Sequence, residues 1–220
     1  MNILFISPEV FPFAKTGGLA DVAGALPEAV AKKGHKASVI LPYYQLVKKN
    51  GFKPVLFKKG ISLRINNREE FFNLLLLKQN GADVYFIEKN EYYDREFLYG
   101  TPQGDYQDNA FRFAFYAKAI LASIRHIGKQ DIYHCNDWQS GLIPLYIKTH
   151  YKDDPMFNKA KVLFTIHNMA YQGLFPKDVV PYLDISWDLF TPSGVEFWDK
   201  LSFMKTGIVF SDAISTVSKG

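Results

Sequence analysis

Three short runs of this sequence carry side chains capable of chemistry. The first is Lys15-Thr16-Gly17-Gly18, followed by Asp21. A helix pattern begins near Leu19, so the glycines stand at a helix mouth, where unpaired amides and the helix dipole favour negative charge. Glycine also lets a ligand approach the backbone closely. A phosphate, or a sugar ring beside one, suits such a mouth, and Lys15 adds a full charge. The bland alternative is a tight turn with a solvated lysine. Asp21, in the first turn, could complement the dipole or bond a sugar hydroxyl. The run is neither a P-loop, where lysine follows the glycines, nor G-x-G-x-x-G.

The second run is His134-Cys135-Asn136-Asp137-Trp138-Gln139. It invites a metal reading, but neighbouring strand side chains point to opposite faces, so His134 and Cys135 do not easily ligate one ion. Cys135 reads as a small buried residue. Asp137 is placed to cap the helix that follows. Trp138 could be core or a platform for a sugar face. The third run is His167-Asn168, just beyond a hydrophobic strand. His35, His126 and His150 have no such setting and read as surface or packing residues. Tyr92, Tyr93 and Asp94 fall in a loop that could rim a polar pocket or simply be a packed connection.

The elements that must position these runs follow from periodicity. NILFI is a short continuous apolar run, expected as a strand buried on both faces. A helix is expected from about Leu19 to Lys33, with Pro27 inside it and Gly34 as its stop. KASVILP is a second strand. Between Phe52 and Glu88 the pattern becomes a hairpin excursion, with turns expected at Lys59-Gly60, Asn66-Asn67 and Asn80-Gly81. ADVYFIE should rejoin the main sheet. DNAFRFAFYAKAILASIRHIG is a well-buried helix. IYHCN is a strand, Ser140 to His150 a helix, KVLFTIHN a strand, Glu196 to Phe210 a helix and AISTVS a last strand. Alternation of this kind argues an α/β fold with a doubly wound, mainly parallel sheet.

In such a sheet, ligands bind beyond the carboxyl ends of the strands. Strand one ends at Ser7-Pro8-Glu9 and leads into the lysine–glycine run. The IYHCN strand ends at Asp137, and the VLFTIHN strand at His167-Asn168. If the strands are parallel, all three runs share one edge.

Composition narrows the classes. The 220 residues are 48% hydrophobic and 16% aromatic, enough for one large core. Net charge is +4, with no basic run to track a nucleic-acid backbone, so no nucleic-acid partner is expected. The single cysteine excludes an internal disulfide and fits a reducing compartment. MNILFISPEVF lacks a basic leader region, and no apolar run approaches the ~20 residues of a membrane span. A cytoplasmic protein with no membrane partner is expected. The chain ends after a strand pattern, where a helix or a second domain would normally follow.

The stretches ISPEVFPFAKTGGLADVAGALP, YDREFLYG, HCNDWQSGLIP, FTIHNMAYQGLFP and SDAISTVS, in that order, resemble the N-terminal half of the bacterial glycogen synthase and plant starch synthase family. The resemblance implies one Rossmann-like half, residues 1–220, of a two-domain GT-B glycosyltransferase, with the nucleotide-binding half elsewhere. It implies glucose transfer from ADP-glucose to the non-reducing end of an α-1,4-glucan, with retention of configuration and no metal or other cofactor. The isolated domain is expected to be inactive alone. Lys15 matches the family's ADP-glucose-binding lysine. Asp21, His167 and Asn168 match positions near the sugar, and Gly17 and Gly18 supply backbone beside Lys15. Glu9, Gly18, Tyr93, Asp137 and Gln172 match positions lining the same cleft, and Trp138 neighbours them. Many members carry a histidine after Asp-Trp; here it is Gln139, which departs from any acid–base role at that position. A non-catalytic glucan-binding or regulatory module on the same scaffold is the competing reading. A nicotinamide-type dehydrogenase is disfavoured by the missing G-x-G-x-x-G.

Overall fold

The computed structural model describes residues 1–79 and 81–218. Eight strands form one sheet. In chain order they are β1 (Asn2–Ile6), β2 (Lys36–Pro42), β3 (Val55–Ile65), β4 (Arg68–Gln79), β5 (Ala82–Glu88), β6 (Ile132–Asn136), β7 (Lys161–Ile166) and β8 (Ala213–Thr216). Across the sheet they run β8-β7-β6-β1-β2-β5-β4-β3. The strands from β8 to β5 are mutually parallel, and only β4 and β3 pair antiparallel. The expected α/β fold with a mainly parallel sheet is present. The expected hairpin is present as β3 and β4, which extend the same sheet as its far edge.

The inner strands are apolar on both faces because both are covered. In β1, Leu4 and Ile6 on one face and Phe5 on the other are all buried. That is the pattern of a parallel strand between helical layers. The connection from β1 to β2 runs through helix α1 (Gly18–Ala31), and the return from β5 to β6 through helix α2 (Asn109–Ile127). These crossovers step in opposite directions from β1, so the right-handed rule puts the two helices on opposite faces. The strand order therefore reverses between β1 and β6, which is the topological switch point of the sheet.

α1 keeps Pro27 within it, and the chain turns out at Gly34, whose φ of 84° is the left-handed conformation a helix stop favours. α2 is buried around most of its circumference, as its composition implied, and it bears the fully buried Arg112. The Arg112 guanidinium donates to the carbonyls of Tyr92 (2.8 Å) and Leu98 (3.0 Å) and to Asn109 Oδ1 (2.7 Å). These bonds fasten the loop between β5 and α2 onto the helix. Helix α3 (Leu142–Thr149) follows β6, and helix α4 (Phe203–Phe210) packs on it. Close approach is enforced there. A Cβ on Gly141 would lie 1.9 Å from the Phe203 carbonyl oxygen.

Two local expectations are corrected. Lys59-Gly60 is not a turn but lies inside β3, where the register slips between Lys58 and Ile61 and Gly60 takes φ 64°. A bulge and a turn both ask for a glycine at positive φ, so the residue alone does not separate them. The Asn66-Asn67 turn is present, with φ 48° and 57°. Of the Asn80-Gly81 turn, Asn80 lies outside the described residues. Residues 196–202 are not the first half of a helix. Glu196–Phe197 and Lys200–Ser202 form a hairpin that joins Leu174–Pro176 in a small three-stranded sheet, and α4 starts only at Phe203. Ser202 caps α4 by accepting from the Lys205 amide (3.1 Å).

Candidate functional site

The runs that follow β1, β6 and β7 do meet at one rim. A pocket of about 770 Å³ opens there, lined by Glu9, Thr16, Gly17 and Gly18 after β1, by Asp137, Trp138 and Gln139 after β6, and by His167, Asn168 and Tyr171 after β7. It sits at the switch point, where neighbouring strands diverge. Two side chains hold the diverging ends together. Tyr116 of α2 donates to the Ile40 carbonyl (2.8 Å), with the Ser7 carbonyl also within bonding distance (3.0 Å). Asn136 Nδ2 donates to the Ile6 carbonyl across the β1/β6 gap (3.0 Å) and to the His134 carbonyl (3.1 Å).

Glu9 organises the glycine loop. Its side chain is nearly closed off, at 4% exposure. Oε2 accepts the amides of Thr16 and of Gly17 (3.2 Å), and Oε1 accepts the hydroxyls of Thr16 (2.7 Å) and Tyr99 (2.8 Å). The Thr16 and Gly17 amides are therefore already engaged. The donors left for a ligand are the first-turn amides of α1, from Gly18 onward, which have no intrahelical acceptor and no side-chain cap. A Cβ placed on Gly17 or Gly18 would meet nothing within 4 Å. Gly17 has an ordinary extended φ of −148°. Neither packing nor φ demands a glycine at 17. Both glycines line the pocket.

Lys15 and Asp21 do not line this pocket. They pair with each other, Nζ lying 2.7 Å from both carboxylate oxygens, and each side chain is about half exposed. Asp21 faces the neighbouring groove beside Phe11, Phe13 and Pro27. Lys15 stands just before the pocket-lining loop, its ammonium paired with Asp21 and 5.8 Å from the Phe11 ring centroid.

His167 is held in one protonation pattern. Because Asn136 Nδ2 is spent on two carbonyls, its Oδ1 must face the ring, and it lies 2.9 Å from His167 Nε2. A carboxamide oxygen only accepts, so Nε2 carries the proton and Nδ1 presents a lone pair. Burial lowers the His167 pKa, which keeps the ring neutral at neutral pH. Asn168 Oδ1 accepts from the Ala170 amide (2.9 Å), leaving its NH₂ group as the free donor.

Asp137 is not the helix cap its position suggested. The turn after it carries no side-chain cap, and Oδ1 instead accepts the His167 amide (2.7 Å). Its backbone takes φ 55° and ψ 176°, a region close to glycine-only, and such strain is stored where the surroundings over-determine it. Burial pushes the Asp137 carboxyl up to about 6, opposed by the His167 and Asn168 amides and reinforced by Glu9. Behind it, burial and then His167 push His134 down to about 4. His134 Nε2 bonds Thr165 Oγ1 (2.7 Å), which bonds Ser215 Oγ (2.7 Å).

Trp138 is mainly core. Its ring packs on Phe113, Phe175 and Phe203 at centroid distances of 5.0, 5.9 and 6.2 Å, with one edge at the pocket. Gln139 is buried with Oε1 unpartnered. Two expected positions move. Tyr93 is fully buried, its hydroxyl donating to the Arg112 carbonyl (2.9 Å), so it has no surface to offer a ligand. The tyrosine that reaches the pocket is Tyr99. Gln172 does not line the pocket and donates to the Met169 carbonyl (2.7 Å), while its neighbour Tyr171 lines it. Sequence reasoning missed Tyr99 and Asn136. Asn136 had a signal, as a carboxamide ending a buried strand; Tyr99 had only its place in the stretch YDREFLYG. Cys135 is a buried free thiol. Among the described residues no three His, Cys, Asp or Glu side chains group to hold a metal ion.

The chain is similar to known proteins in sequence and in fold. The family model described as starch synthase catalytic domain matches residues 2–220. A glycogen synthase of Koribacter versatilis is 45% identical over 220 residues, covering 100% of this chain and 45% of its own length. One from Syntrophotalea carbinolica is 43% identical, again over 100% of this chain and 46% of its own length. A solved structure, the catalytic domain of Starch Synthase IV from Arabidopsis thaliana bound to ADP and acarbose, superposes with a TM-score of 0.87 at 26% identity. That match covers 99% of this chain and 45% of the solved one. The chain thus spans about half the length of the relatives it matches, and it belongs to the starch synthase catalytic domain family.

Proposed function

We propose that this chain forms the acceptor-side wall of a retaining glucosyltransferase. The enzyme would move glucose from ADP-glucose to the non-reducing end of an α-1,4-glucan, using no metal. The carrying observation is at the pocket's loop. Gly17 and Gly18 are free of packing constraint and front the pocket, opposite a neutral His167 with a bare Nδ1. A backbone stripped of side chains on the pocket side suits close approach of a phosphate or sugar. The relative bound to ADP and acarbose supports both ligand classes.

In this reading the departing diphosphate gathers negative charge as its bond to the sugar breaks. The α1 first-turn amides and Lys15 stabilise it. Lys15 exchanges its exposed Asp21 partner for the phosphate at little cost, since such surface pairs contribute only about 0–1 kcal/mol. Nδ1 of His167 accepts from a sugar hydroxyl, and the Asn168 NH₂ donates to one. Asp137 fixes the His167 backbone. The remaining donor contacts belong to the further length that the relatives possess. The reading places the enzyme in the cytoplasm, in keeping with its free Cys135. It assigns neither a membrane nor a nucleic-acid partner; no helix among the described residues is long and apolar enough to span a bilayer.

The test joins this chain to the remaining length of the Koribacter versatilis relative and supplies ADP-glucose with a glycogen primer. ADP release that drops at least roughly a hundredfold with His167→Ala is expected. Glucan binding without turnover would favour a non-catalytic binding module instead. The 220-residue chain alone should release little ADP, because a cleft enzyme needs both walls to position reactants and exclude water.

A further inference from the structure

The hairpin between Glu196–Phe197 and Lys200–Ser202 has a two-residue turn, Trp198-Asp199, with φ 53° and 59°. Such turns require positive φ at both central residues and normally take Asn-Gly or Asp-Gly. A bulky aromatic in that conformation is an outlier. Trp198 also gains no burial, since 83% of it is exposed. The residue thus carries two costs, backbone strain and an exposed indole, with no return inside the fold. Strain of this kind points to a function.

The neighbourhood says what the indole meets. Phe197 packs edge-on against it at 6.3 Å and is itself exposed. In the small sheet, Phe197 and Pro176 are both partners of Lys200, so they share a face, and Leu174 lies on that face two residues before Pro176. Leu174 is exposed too, and just before it comes Tyr171, 66% exposed and lining the pocket. The opposite face of this sheet, through Phe175, packs on Trp138. An exposed apolar strip thus leads from the pocket mouth to the hairpin tip. The charges around the tip sum to zero, Lys177 and Lys200 against Glu196 and Asp199: Lys177 Nζ sits 2.8 Å from both Asp199 carboxylate oxygens, Glu196 Oε1 accepts the Asp199 amide (2.7 Å), and the exposed Lys200 lies on the strip's own face. A strip of rings with balanced charge fits a neutral, hydroxyl-rich polymer whose pyranose C–H faces stack on rings.

We infer that the strip from Tyr171 to Trp198 is a glucan-binding track outside the pocket, with Trp198 as its outer stacking platform. It holds the polymer chain whose end enters the pocket. This rests on the glucan substrate proposed above.

Retention of the 220-residue chain in a gel containing glycogen, compared with Trp198→Asn, tests it. Asn suits the turn better, so the variant's thermal midpoint should equal or exceed that of the parent. Its apparent Kd for glycogen should weaken at least about fivefold, while Phe71→Asn, which removes an exposed aromatic on β4 instead, leaves polymer retention unchanged. Equal retention of parent and Trp198→Asn overturns the track but leaves the substrate reading intact. No retention of the parent removes the glucan reading itself, and the track with it. Self-association that is lost in Trp198→Asn, with glycogen retention unchanged, assigns the face to a second copy and also overturns it.

Discussion

Asn136 Oδ1 faces His167 Nε2 at 2.9 Å, and the Asn136 NH₂ group is committed to the Ile6 and His134 carbonyls. One carboxamide therefore both closes the β1/β6 gap and sets the tautomer of the histidine beside it. Nitrogen-detected NMR should find His167 protonated at Nε2 and bare at Nδ1. Asn136→Asp would place a carboxylate there and raise the His167 pKa above its ordinary value of about 6.5. A His167 protonated at Nδ1 in the parent would refute the assignment.

Gly17→Ala and Gly18→Ala separate binding from folding. No atom within 4 Å opposes the added methyl. Thermal midpoints should hold or rise slightly, by the ~0.4–1 kcal/mol that a Gly→Ala exchange gives where the backbone allows it. Affinity for ADP-glucose in the chimeric enzyme should fall. Loss of stability with intact affinity would make the glycines structural.

Lys15→Ala should leave stability within about 0.5 kcal/mol, because its exposed pair with Asp21 contributes little. Turnover of the chimera should fall at least roughly tenfold if the ammonium meets the diphosphate. Unchanged turnover would return Lys15 to the role of a solvated surface residue.

Glu9→Gln should cost about 1.5–3 kcal/mol, because a charged acceptor of the loop amides and of Tyr99 is replaced. Tyr99→Phe removes a single bond and should cost less, about 1 kcal/mol. Chemical denaturation measures both. Equal losses would mean that Glu9 acts only through Tyr99.

Two buried groups shape the acid limb of stability in opposite directions. His134 is held at about 4 when folded, below its ordinary 6.5, so its neutral form stabilises the fold and that contribution is lost as pH falls from 6.5 toward 4. Asp137 is held at about 6, above its ordinary 3.8, so its contribution falls as pH rises from 3.8 toward 6. Each effect is on the order of 3 kcal/mol, and between pH 4 and 6 they largely cancel. Asp137→Asn, which tolerates the positive φ, should steepen the loss of stability in acid. His134→Gln should reverse it. Parallel pH–stability curves for all three proteins would disprove the balance.

Much of the site could be read from strand ends. Ser7-Pro8-Glu9, Asp137 and His167-Asn168 each follow an apolar run, and parallel pairing of β1, β6 and β7 carried them to one rim. Which side chain points where was less legible. Tyr93, ending the one-turn helix Asn90–Tyr93, and Tyr99 share one short connection with no periodicity to tell them apart, and the Arg112 and Asn109 bonds to it send Tyr99 to Glu9 and Tyr93 inward. The Asp137 cap failed because the Thr165 carbonyl and the His167 amide claimed its backbone and side chain. The helix expected from Glu196 lost its first half, residues 196–202, to a hairpin that pairs with Leu174–Pro176, a non-local choice that helix periodicity does not register.

Backbone and histidine resonances of the 220-residue chain, followed while ADP-glucose and then maltotriose are added, probe the switch-point pocket most directly. Shifts concentrated at Gly17, Gly18, Asp137, His167 and Asn168 are the outcome expected. Shifts centred elsewhere, for instance around Arg64 and Lys118 on the far side of α2, or none with either compound at saturating concentration, would contradict it.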